Sequence, residues 1–114
     1  MSDRPKWPKN VRWYRKGLAD FDDLDHTERA EVAKGIMRVA VNPKPDTEGG
    51  YGHPLSGALE GLCKVKFRKS GIRVVYRYVK SKDGMFIIVV AMRGDDEVYR
   101  IAESRLKEIR HMPS

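Results

Sequence analysis

The sequence predicts an α+β domain, with an N-terminal helical hairpin packed on an antiparallel sheet meander and a C-terminal helix. Three observations carry this expectation. Apolar residues recur with helical spacing as far as Ala40, the period switches to two after Gly61, and helical spacing returns from Glu97. A chain of 114 residues has room for one core, so residues 1–114 read as a single domain.

Each element follows from its own pattern. The first ten residues set Pro5 and Pro8 among Lys and Arg, which reads as a loose basic arm or a poor edge strand. Val11 to Tyr14 reads as a short strand. From Arg15, Leu18, Phe21 and Leu24 recur at three-residue steps while Asp20, Asp22 and Asp23 take other faces. A second helix starts at Asp25, with Glu28 at the spacing of a capping box. Its apolar stripe is Val32, Ala33, Ile36, Val39 and Ala40, and Asn42-Pro43 ends it. Helices joined so tightly form a hairpin with one shared apolar face.

Residues 42–61 hold three of the six prolines and five of the ten glycines, so no long element is expected there. So long an irregular stretch reads as a functional loop, or one mobile in the free protein, with Tyr51, His53 and Leu55 as anchors. Beyond it, Leu62 to Phe67 reads as a strand, Lys69-Ser70-Gly71 as a turn and Ile72 to Val79 as the hairpin partner. Ser81-Lys82-Asp83-Gly84 turns the chain into a third strand, Met85 to Arg93. The closing helix, Glu97 to His111, carries Val98, Ile101, Ala102, Leu106 and Ile109 on one side. The helices are expected to cover one sheet face.

Composition narrows the function. Lys and Arg number 23 against 16 Asp and Glu, a net charge of +7 that favours a polyanionic partner. The single cysteine, Cys63, excludes an internal disulfide and fits a reducing compartment. Met1 to Lys16 has no apolar run of signal-peptide type, and the longest apolar stretch, Met85 to Met92, is too short for a bilayer. A cytoplasmic location with no membrane role is expected.

Charge position says more than its total. Gly61 to Lys82 holds eight cations (Lys64, Lys66, Arg68, Lys69, Arg73, Arg77, Lys80, Lys82) and no acid, while the acids gather in the helices. Strand alternation places Lys64 and Lys66 on one face, and Arg73 and Arg77 likewise, with Cys63, Val65, Phe67, Val74 and Tyr76 on the other. If the apolar faces meet the helices, all four cations converge on the open side, joined by Arg93. Such a surface is suited to phosphates, because Arg grips two oxygens at once. A plain solvated sheet face is the competing reading; twenty-two residues of single-sign charge favour binding.

Other chemistry is weakly signalled. His26, His53 and His111 are scattered, and Gly49-Gly50-Tyr51-Gly52 lacks the lysine and preceding strand of a phosphate loop. Asp95 and Asp96 follow a strand end, where acids are more often helix caps than metal ligands. No metal or cofactor is expected.

Together these features resemble the RelE/ParE superfamily of type II toxin–antitoxin toxins, from Tyr14 to Leu106. The resemblance rests on the Asn42-Pro43 helix end, Pro54-Leu55-Ser56-Gly57 followed by Leu59-Glu60-Gly61-Leu62, and Lys64-Val65-Lys66-Phe67-Arg68. It rests most on Gly71-Ile72-Arg73-Val74-Val75-Tyr76 and on Arg93 with Glu97-Val98-Tyr99. It implies the RelE-like fold, akin to microbial ribonucleases, and a ribosome-dependent mRNA endoribonuclease that inhibits translation. It also implies an acidic antitoxin in a hetero-oligomer, with the ribosome and mRNA as further partners. The family's catalytic roles fall on Lys64, Lys66, Arg73, Arg93 and Tyr99; the uninterrupted basic segment makes Lys64, Lys66, Arg68, Lys69 and Arg77 the nucleic-acid-binding candidates. The implied reaction is attack of a ribose 2′-OH on the adjacent phosphorus. Arg73 is the candidate to stabilise the added charge, and Lys66 to take the proton, since crowded cations make a lysine basic near neutrality. Arg93 would serve the leaving oxygen and Tyr99 would orient the RNA.

Two departures stand out. Ala91-Met92 replaces a common glycine and basic residue or histidine, and Asp95-Asp96 stands where many relatives are more basic. Two rivals remain open: a ParE-like gyrase poison, against which Lys64, Lys66 and Tyr99 argue, and a non-catalytic RNA- or partner-binding module.

Overall fold

The computed structural model describes residues 5–110. The chain runs β1 (Val11–Trp13), α1 (Arg15–Asp22), α2 (His26–Ala40), β2 (His53–Pro54), β3 (Leu62–Lys66), β4 (Arg73–Val79), β5 (Gly84–Ala91) and α3 (Asp95–Ile109). The expected α+β architecture is present. The capping box forms: the Glu28 amide donates to Asp25 Oδ1 at 2.8 Å and the Asp25 amide to Glu28 Oε1 at 3.0 Å.

The sheet order is β1-β5-β4-β3-β2, and β3, β4 and β5 make the expected antiparallel meander. The sheet is nevertheless mixed, because β1 lies parallel to β5 with Val11 opposite Met85 and Trp13 opposite Ile87. Asn10 fixes this pairing: its carbonyl accepts from the Met85 amide at 2.8 Å, and its Nδ2 donates to the carbonyls of Ala40 and Asp83. At Gly17 a Cβ would come within 2.9 Å of the Ile87 carbonyl oxygen, so α1 rests directly on the β5 backbone. The expected arm is docked at Trp7, whose ring meets Trp13 at 5.0 Å and Phe21 at 5.2 Å. Residues 1–4 of that arm, and His111 of the expected helix, lie outside the described residues.

One expectation needs correction. The helices do not share a sheet face. Phe21, Val32, Ile36 and Val39 pack with Cys63, Val74, Tyr76 and Ile87 on one side. On the other, Val98, Ala102 and Leu106 of α3 pack with Leu62, Val75, Ile88 and Val89. The reason lies in β4 and β5, which alternate apolar residues onto both faces, and a sheet apolar on both sides must be covered on both. Five side-chain bonds then tie α3 to Tyr14, α1 and β5, and a sixth ties α1 to β5. Tyr14 and Lys16 donate to Glu108 at 2.5 and 2.7 Å; Arg105 donates to both Asp20 oxygens and to the Ile88 carbonyl, and the Val90 amide donates to Asp20.

Residues 42–61 are folded rather than loose. The Tyr51 amide donates to the Asn42 carbonyl, the Asp46 amide to Gly52 and the Asn42 side chain to Gly49. The buried Tyr76 hydroxyl donates to the Pro43 carbonyl at 2.8 Å, and β2 pairs with β3. Leu55 anchors the stretch against the α3 cluster, but the Tyr51 ring is 57% exposed and anchors nothing through its side chain.

Candidate active site

The site is assembled where the β3–β4 turn meets the start of α3. Strand register sets Lys66 opposite Arg73 and Arg73 opposite Ala91, with Lys64 opposite Val75. Lys64, Lys66 and Arg73 thus share the α3 side of the sheet. Gly71, with φ of 78°, makes the turn that brings the two strands back together.

Asp95 organises the cations. Its carboxylate accepts from Arg73 Nε at 2.5 Å and from Lys64 Nζ at 3.3 Å. Arg73 Nη1 also donates to the carbonyls of Gly71 at 3.0 Å and Arg93 at 2.6 Å, tying the β3–β4 turn to the β5–α3 junction. Lys64 Nζ sits 5.6 Å from the centre of the Tyr99 ring. Arg93 is exposed and pairs with Glu97 one helical turn on, at 2.8 Å. Lys66, Arg68 and Lys69 are exposed along the strand end and turn.

The electrostatics separate the roles. A hydrogen bond with the Tyr99 hydroxyl raises the Lys64 pKa; burial opposes this and Asp95 adds to it, so Lys64 is a fixed cation. Burial alone would raise the Asp95 carboxyl, yet the bonds from Arg73 and Lys64 hold it below the usual carboxylate range. Burial pushes the Cys63 thiol up, so it is no nucleophile at neutral pH.

The expectation of an open face with four convergent cations is corrected in two respects. The α3 helix crosses that face, leaving the side chains of Lys64 and Arg73 only 17% and 14% exposed. Arg77 stands apart, four residues or about 13 Å along β4 from Arg73. It lies over the Phe86 ring, in a cleft shared with Leu106 and Arg110. The other expected residues lie at one end of the sheet: Asp95 joins Lys64 to Arg73, Lys64 sits by the Tyr99 ring, Lys66 is opposite Arg73, and Arg93 joins through its backbone carbonyl while its side chain turns to Glu97. Asp95, absent from the expected set, lies at their centre: Gly94 holds the N-cap position and Asp95 the first turn. An acid next to a strand end reads as a cap, and only the fold shows which cations it reaches.

Fold and site define a class: a small basic α+β protein with a cation cluster at the end of its sheet, suited to a phosphate-bearing ligand. No family model matches the chain. The mRNA interferase toxin RelE of Escherichia coli K12 is 30% identical over 91 residues, 80% of this chain and 90% of the relative. A double arginine-to-alanine variant of the E. coli RelE toxin in its free state has a TM-score of 0.68 at 27% identity, covering 84% of this chain and 95% of that one. In the intact E. coli RelBE toxin–antitoxin complex the matching chain has a TM-score of 0.58 at 25% identity, covering 74% of this chain and 95% of that one. The chain belongs to the RelE family of toxins.

Proposed function

We propose that this protein is an mRNA interferase, an endoribonuclease that arrests translation by cutting messenger RNA on the ribosome. The observation that carries the reading is the placement of Lys64, Lys66, Arg73, Arg93 and Tyr99 at one sheet end. Its relatives in E. coli and Shigella flexneri are named as mRNA interferases, which disfavours a gyrase poison or a passive binding module.

The chemistry follows from the residue types. Attack of the 2′-OH on the adjacent phosphorus places extra negative charge on the phosphate oxygens. Arg73, fixed by two backbone carbonyls, is preorganised to stabilise that charge with Lys64 beside it. Lys66, exposed and directly opposite Arg73, receives the 2′-OH proton. Arg93 stabilises the leaving 5′-oxygen, a role that suits a guanidinium better than proton donation. Tyr99 orients the RNA, and Arg68 and Lys69 hold the strand beyond it. The 2′-oxygen bonds to phosphorus as the bond to the 5′-oxygen breaks, and that oxygen takes a proton from water, giving a cyclic phosphate and a free 5′-OH. No step calls for a metal. So spare a site depends on a substrate already held in a reactive conformation, which the ribosome supplies.

A cytoplasmic setting follows from that substrate; among the described residues no helix is long and apolar enough to cross a membrane. The E. coli RelE structures include complexes with its antitoxin, and an acidic antitoxin is the partner this basic chain calls for. Purified protein on translating ribosomes, with EDTA at a level that leaves them assembled, is expected to yield 2′,3′-cyclic phosphate and 5′-hydroxyl ends. Efficient cutting of free RNA, 5′-phosphate ends, or a divalent-ion requirement separable from ribosome integrity would overturn the mechanism.

A further inference from the structure

The bonds of Asp95 point to a role that the reaction scheme does not use. Arg73 reaches a phosphate best side-on, through Nε and Nη2, because that fork matches two oxygens. In the free protein Asp95 occupies Nε, while Nη1 is committed to the carbonyls of Gly71 and Arg93. The other Asp95 oxygen takes Lys64. A carboxylate offers the same pair of acceptors as the two non-bridging oxygens of a phosphodiester, so the two anions compete for the same donors. Asp95 is also free to leave. Its side chain is 41% exposed, and Gly94 holds the helix N-cap, so rotation of Asp95 leaves the start of α3 in place.

We infer that Asp95 is a placeholder for the RNA phosphate, a positioning residue that holds Lys64 and Arg73 in register in the free toxin and yields their bonds to a phosphodiester. The inference rests on the reading of this site as an RNA-cleaving centre. It adds a threshold to it: free RNA must displace an anion already in place, whereas RNA held by the ribosome arrives with its phosphate aimed at the fork. Asp96, one residue on and exposed, carries the same charge in the same helical turn and supplies a control for bulk electrostatics.

The test is titration of the purified full chain with a fluorescent 2′-O-methyl RNA oligonucleotide, which binds without being cut. Asp95→Asn is expected to bind about fivefold more tightly than wild type at low salt, and Asp96→Asn less than about twofold. On ribosomes, Asp95→Asn should lower KM without raising kcat, and Asp95→Glu should restore the wild-type values. If Asp95→Asn binds no more tightly than Asp96→Asn, Asp95 is a permanent strut and the inference fails. If Asp95→Asn does not fold, the wild-type Arg73 Nε–H resonance decides. A shift on saturation with the oligonucleotide supports displacement, and an unmoved resonance overturns it. A gain in oligonucleotide affinity with no ribosomal cleavage by any form would remove the proposed activity and leave the placeholder standing.

Discussion

Arg73 carries two functions that a single substitution removes together. Its Nη1 bonds join two turns, and its Nε bonds Asp95 at the candidate site. Arg73→Ala is therefore expected to lower cleavage by roughly 10²–10³-fold and stability by about 1–3 kcal/mol, since two turn carbonyls lose a charged donor. Growth arrest on expression, measured beside a denaturant midpoint, separates the two. Full arrest by a folded Arg73→Ala protein would remove Arg73 from the active site. At this scale the sequence is legible as to type: strand alternation brings Lys64, Lys66 and Arg73 onto one face without any structure. It is not legible as to pairing. The bridge from Asp95 to Lys64 spans 31 residues and depends on how β5 hands over to α3, which no local pattern encodes.

The helix α3 is the element whose placement the sequence misleads about, and the clue was present. Phe86 to Ala91 contains no polar residue, the mark of a strand covered on both faces, whereas a half-exposed strand alternates. Its anchorage makes α3 sensitive to residues in α1. Asp20→Asn weakens the paired Arg105, which is 15% exposed, and is expected to cost roughly 2–4 kcal/mol by chemical denaturation. A cost under about 0.5 kcal/mol would show that apolar packing alone holds the helix. The Tyr14–Lys16–Glu108 cluster adds a pH signature. Hydrogen bonds from Lys16 and then Tyr14 lower the Glu108 pKa, so its contribution is full above the ordinary glutamate value and is lost as pH falls through the depressed one. The Tyr14 hydroxyl is shifted the other way, raised first by its bond to Glu108 and then by burial, so its contribution fades as pH climbs past the ordinary tyrosine value of about 10. Glu108→Gln should flatten the acid limb of a stability–pH curve; an unchanged limb would exclude the cluster as its source.

Over the whole molecule, the charge is divided rather than diffuse: the strand segment from Gly61 to Lys82 is wholly cationic and α3 opens with three acids. Four exposed cations, Lys66, Arg68, Lys69 and Arg93, border the site. Binding of a single-stranded oligonucleotide should thus fall with salt at a log–log slope of about −3, and by about 1.4 less steeply in an Arg68→Ala/Lys69→Ala protein. An unchanged slope would place the RNA elsewhere. The β-meander, being local, was readable from its turns; the parallel β1–β5 pairing joins chain segments more than seventy residues apart and was not. That same long reach has a consequence in time. Tyr14, Lys16 and Asp20 leave the ribosome on the order of 10 s before the Arg105 and Glu108 that complete them. The lock between the first helix and the last therefore closes late in synthesis, because its two halves are made at widely separated times.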